Sequence, residues 1–180
     1  YCVFENANSE DSLNIIRSKF KIIDSNFIKS KSDAIDIDFS NGEISNVKIL
    51  NSKNDGLDIS GSNIEASNIF INQSSDKAFS IGEASNFNAR NIFISNAKVG
   101  FASKDGSNSK ITNLTLNNSE IDIVGFQKKI EYSPSKTIIK NFVTDKIIPK
   151  YYLGNGSSLI IDQKDFNSNA KDSLIFNLLY

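Results

Sequence analysis

Five aspartates, Asp33, Asp36, Asp38, Asp55 and Asp58, lie close together in this chain, and Asp11 precedes Asp33 by 22 positions. The same interval of 22 separates Asp33 from Asp55 and Asp36 from Asp58. Carboxylates repeated at a fixed interval support three kinds of chemistry once a fold stacks them. They offer hard oxygen ligands to a cation such as calcium. They accept hydrogen bonds from the hydroxyls of a glycan. As a close pair they can act as acid and base on a glycosidic bond. Asp11, Asp33 and Asp55 share one row and are the metal-ligand candidates. Asp36, Asp38 and Asp58 are the substrate-binding candidates, together with Lys104, which lies three intervals of 22 beyond Asp38. Stacked like charges call for compensation. At about 5 Å, Asp36 and Asp58 repel by about 1 kcal/mol in water and about 3 kcal/mol at an effective dielectric near 20. A cation, a raised carboxyl pKa or a nearby lysine would each supply it.

Other catalytic chemistry has less to work with. A lyase acting beside a uronate needs a basic group such as Lys, Arg, Tyr or His. The chain has no His, and its only arginines are Arg17 and Arg90. The backbone of Lys104 is expected two rungs above Asp58, about 10 Å away, which is loose for a concerted pair. Nothing resembles a Ser–His or Cys–His arrangement, a phosphate-binding glycine loop or a Cys/His metal cluster. No residue is therefore assigned as catalytic.

The elements that position these aspartates follow from a strict repeat. Leu13, Ile35, Leu57, Phe79, Phe101 and Ile123 succeed one another at intervals of 22, and Ile15, Ile37, Ile59 and Ile81 do so two residues later. Apolar residues flanking a polar one indicate a strand with one buried face. A repeat of this length indicates a coiling sheet whose turns bury each other's inner faces. The prediction is an all-β, right-handed parallel β-helix of about six to seven rungs of ~22 residues, forming one domain over 1–180. A second strand in each rung follows Asn46, Asn68, Asn91, Asn113 and Asn141, with Asn26 as the earliest copy, and these amides are expected to form a ladder. The small residues Ser12, Ala34, Gly56, Ala78 and Gly100 predict a tight corner before the first strand. Regularity ends after about residue 126. Residues 127–134 form a longer excursion and 151–161 a last partial rung. The apolar run in 172–180 is expected to cover the open end of the coil.

The net charge of −1 leaves no basic footprint for nucleic acid. No stretch has the roughly 18 apolar residues of a membrane span. The single Cys2 says nothing of redox compartment. The chain begins at Tyr1 and has no Met. It reads as part of a longer polypeptide, with earlier rungs and a partner domain expected before it.

The rung pattern resembles right-handed parallel β-helices of the pectate-lyase-like superfamily. More narrowly it resembles the β-helix region of bacterial surface proteins, some of which carry a spore-coat-protein-H-like kinase domain. The residues that carry this likeness are Glu10-Asp11-Ser12-Leu13-Asn14-Ile15-Ile16-Arg17-Ser18, Asn54-Asp55-Gly56-Leu57-Asp58-Ile59-Ser60-Gly61-Ser62, Phe79-Ser80-Ile81-Gly82-Glu83, Ala102-Ser103-Lys104-Asp105 and Gln127-Lys128-Lys129. The resemblance implies an extracellular or cell-surface setting. It also implies either a non-catalytic module that binds a glycan or cation, or a polysaccharide lyase, epimerase or hydrolase acting on an acidic polymer. A plain spacer for the partner domain is the third reading. Pectinolytic relatives pair an Asp cluster or calcium with a base on the outer strand face; the cluster is present here and the matching base is not.

Overall fold

The computed structural model describes all residues, 1–180, as a parallel β-solenoid of about 7 turns with one short helix. No helix is long and apolar enough to cross a membrane. Each turn has three faces. The first holds residues such as Asp33–Asp38 and Leu57–Ser60. Strands Asn41–Ser52, Asn63–Gly82 and Asn86–Lys104 then run on around the corners, so that one strand serves two or three faces. Sequence reading recognised the first face and the stretch after each Asn. It missed the segment between them, 41–45 and its copies 63–67, 86–90 and 108–112, whose inward residues vary in size and polarity from rung to rung, for example Gly42, Ile64, Phe87 and Ser109.

The predicted inward ladder is real. Leu13, Ile35, Leu57, Phe79, Phe101 and Ile123 pair in register from one rung to the next. From Ile35 to Ile123 these side chains are almost wholly buried. Each fully buried Ile, Leu or Phe contributes about 1.5–3 kcal/mol through burial, so repetition of one apolar row through the coil drives the stacking. The predicted corner is also tight. A Cβ on Gly56 would lie 2.7 Å from the Ala78 carbonyl oxygen, and one on Gly100 2.9 Å from that of Asp122.

The corners are held by side-chain ladders. Asn68 donates to Asn46, Asn91 to Asn68, Asn113 to Asn91 and Asn141 to Asn113, all at 2.8–2.9 Å. These asparagines have positive φ, a left-handed conformation that Asn tolerates better than most residues. The first member is not Asn26. Asn26 pairs with Lys48, and the ladder position belongs to Asp24, whose Oδ1 accepts from Asn46 at 2.8 Å. Asp24 offers the same acceptor oxygen as Asn and has the same positive φ.

The C-terminal segment departs from expectation. Helix α1, Asp172–Leu179, does not close the end of the coil. It lies on the outer side of the first face. Ile175 and Leu179 pack on Val99, Ala102, Ile121, Val124 and Phe126, and strand Ile121–Phe126 is buried on both sides. At the end of the coil, strand Ser158–Ile161 turns back through Asp162 and Gln163 into an antiparallel partner, Lys164–Phe166. Phe166 then meets Tyr151 edge-on at 5.2 Å.

Candidate functional site

The outward rows of the first face run along the coil. One is Asn14, Asp36, Asp58, Ser80, Ala102 and Val124. Its neighbour contains Ile16, Asp38, Ser60 and Gly82, with Lys104 opposite Phe126 above. The structure therefore brings Asp36, Asp38 and Asp58 to one half-exposed patch on adjacent rungs. None of the three forms a salt bridge, while Asn14 donates to Asp36 at 2.8 Å.

Burial and crowding raise the pKa of Asp36 and Asp38. Partial burial, then the charges of Asp38, Asp58, Asp11 and Asp33, push Asp36 up to about 7. Burial and the neighbouring Asp58, Glu83 and Asp11 raise Asp38 as well. A raised pKa is one of the compensations that stacked carboxylates need.

Lys104 supplies another. Its backbone lies two rungs above Asp58, as expected, but its side chain reaches down across Gly82. A Cβ on Gly82 would stand 3.6 Å from Lys104 Cε, so the absent side chain leaves a path for the lysine stem. Lys104 Nζ donates to Ser80 Oγ at 2.7 Å and to the Tyr180 hydroxyl at 3.3 Å. Lys104 is only 8% exposed. Burial opposes its charge, yet nearby Asp58 and Tyr180 outweigh that penalty and hold its pKa above the ordinary lysine value. It remains an ammonium, a donor and a positive charge rather than a base.

The row Asp11, Asp33, Asp55 and Lys77 behaves differently. Asp33 Oδ1 accepts the backbone N–H of Asp55 at 2.7 Å, and Asp55 Oδ1 accepts that of Lys77 at 2.9 Å. Burial lifts Asp33 to about 6 despite the bond from Asp55. Asp55 and Lys77 are not on the surface as the row implied. They are 3% and 2% exposed and ion-paired at 3.3 Å, with Asp76 as a second partner of Lys77. No group of three or more carboxylates, histidines or cysteines is placed to hold a metal ion. Asp33 and Asp55 spend acceptor oxygens on rung-to-rung backbone bonds, and Asp11, Asp33 and Asp55 are one above another rather than around a point.

Tyr180 is the residue that sequence reading did not connect to this face. Its ring takes the ammonium of Lys128 at 4.0 Å and that of Lys77 at 5.0 Å. Only the path of α1 brings it there, and no repeat position announces it. Phe39 carried a legible signal. It lies 22 residues before Gly61, and its ring rests where a Gly61 Cβ would be, 2.5 Å away.

A groove of about 440 Å³ on the second face is lined by Glu43, Glu65, Asn88, Arg90, Lys110 and Thr112 among others. There Glu43 pairs with Lys21 at 2.9 Å and Glu65 accepts from Asn88 at 2.7 Å. Glu43 there has a lysine partner, whereas no carboxylate among Asp36, Asp38 and Asp58 has one.

No family model, no curated protein and no solved structure matches this chain.

Proposed function

We propose that this chain is a non-catalytic β-helix module of the pectate-lyase-like kind, working in a secreted or cell-surface setting. It binds a glycan on the open half of its first outer face through Asp36, Asp38, Asp58 and Lys104. The observation that carries this reading is the pairing of opposites at one place. Unpaired, half-exposed carboxylates are stacked in register directly below a buried ammonium that has no carboxylate partner. Carboxylates accept from sugar hydroxyls, and the ammonium donates to them.

Binding to a panel of oligosaccharides, followed by calorimetry, tests it. The double variant Asp36→Ala/Asp58→Ala should weaken binding at least about tenfold, or roughly 1.4 kcal/mol, while its melting temperature stays at or above that of the parent. Should no glycan in a broad panel bind, the reading fails. A calcium titration in the same calorimeter asks whether the acidic rows take a cation instead; heat there, with none from glycans, would replace the glycan by the cation.

One observation favours a second reading, hydrolysis. Asp36, with a pKa of about 7, would be a proton donor at neutral pH, one rung from Asp58. Release of reducing ends from the same panel, lost in Asp36→Asn, is its test. Lyase or epimerase action on a uronate gains no such support. The carboxylate rows repel a polyanion, and Lys104 is held protonated.

A further inference from the structure

We infer that the ligand of this face is a neutral pyranose chain and that Phe39 is the platform on which one sugar ring stacks; this rests on the glycan reading above. The first half of the argument is the polarity of the patch. Lys104 is more than nine-tenths buried, and its stem crosses Gly82 to reach Ser80 in the neighbouring row, one rung above Asp58. It places two of its three N–H groups on Ser80 and Tyr180 and forms no salt bridge. The open face thus runs from an ammonium above to carboxylates below. A ligand carboxylate would meet Asp36, Asp38 and Asp58; a ligand ammonium would meet Lys104. A hydroxyl suits both, since it accepts from Lys104 and donates to Asp58.

The second half is Phe39. It sits at the corner that ends the first face, one residue beyond Asp38 and one rung below Gly61. Its φ is 49°, and no other aromatic residue in the chain has a positive φ. Its ring lies over Gly61 and is 53% exposed; Ile16, the partner of Asp38 on the rung below, is 55% exposed. The ring lies on a glycine, with Ile16 on the rung below and Arg17 in the same corner position beneath Phe39, and the strand face that runs back from it carries Asp38, Asp36 and Asp58. A protein partner with an apolar surface would have to bury those carboxylates without partners. A pyranose offers an apolar C–H face to Phe39 and Ile16 and equatorial hydroxyls to Asp38 and Asp58. From Gly61 back to Asp58 is about 10 Å along the strand, the reach of roughly two sugar units.

The experiment uses the full chain with neutral hexasaccharides of several linkages and with an oligogalacturonate of the same length. Parent protein should bind at least one neutral hexasaccharide, and oligogalacturonate at least about tenfold more weakly. Phe39→Gly should weaken the neutral ligand by about tenfold, and Phe39→Tyr should retain it within about threefold. Glycine adopts the left-handed corner without strain, as Gly61 does one rung above, so a loss in Phe39→Gly accompanied by an unchanged melting temperature is not a folding defect. Neutral binding that survives Phe39→Gly overturns the platform and leaves the glycan reading intact. Tighter binding of oligogalacturonate overturns the neutral class. Failure of every sugar to bind overturns the glycan reading itself, and this inference with it.

Discussion

The two halves of the first outer face share one backbone and one register but differ in what covers them. In the upper half, Val99, Ala102, Ile121, Val124 and Phe126 lie beneath α1 and are buried with Ile175 and Leu179. In the lower half the same rows hold Asp36, Asp38 and Asp58, and nothing covers them. Ser80, Lys104 and Tyr180 form the seam. Apolar residues appear where the face has an intramolecular partner, as burial energetics require. Partial burial and mutual repulsion raise the pKa of Asp36 and Asp38, and neither forms an ion pair within the fold. That contrast is why the lower half is the place to look for a ligand.

Breaking the covered half should have the largest effect. Ile175→Ala removes a fully buried side chain from the helix–sheet contact. It is expected to cost about 2–4 kcal/mol in urea unfolding, comparable to other buried Ile truncations. A cost near zero would mean that α1 does not stay on this face in solution.

At the seam, Lys104→Met keeps the aliphatic stem and deletes the charge and two hydrogen bonds. About 1–2 kcal/mol of destabilisation at pH 7 is expected. Urea midpoints of the variant and the parent at pH 7 measure it.

The open half should respond least and with the opposite sign. Asp36 has a folded pKa of about 7 against an ordinary value of 3.8. Between these values the folded protein holds a proton that the unfolded chain has released, so stability falls as pH rises from about 4 to 7 and levels off above. Asp33, at about 6, acts in the same direction. Asp36→Asn should flatten this slope and raise the neutral-pH melting temperature. Because Asp36 is half-exposed, the gain is held to within about 1 kcal/mol. A melting temperature that rises between pH 4 and 7 in the parent protein would contradict the crowding of these carboxylates.

The lower half was more legible in sequence than the upper. Asp36 above Asn14 and below Asp58 follows from the interval alone, because rungs that bury a common apolar row must hold their outer positions in register too. Lys104 was assigned to the right row, yet its ammonium is a rung lower than its backbone, since Gly82 leaves room for a long stem. Asp55 and Lys77 were placed in the right row with the wrong exposure. Position in a repeat does not reveal which neighbour folds over it.

The amino-acid sequence by itself determined the coil: its rung length, the inward ladder from Leu13 to Ile123, the tight corner at Gly56 and Gly100, and the Asn ladder from Asn46 to Asn141. These are local preferences multiplied by a period, and each repeat needs only its neighbours to satisfy them. Only the tertiary structure decided where α1 lies, that Tyr180 meets Lys104, and which half of the first face stays open. Those depend on contacts between residues as far apart as Lys104 and Tyr180, for which the period carries no information.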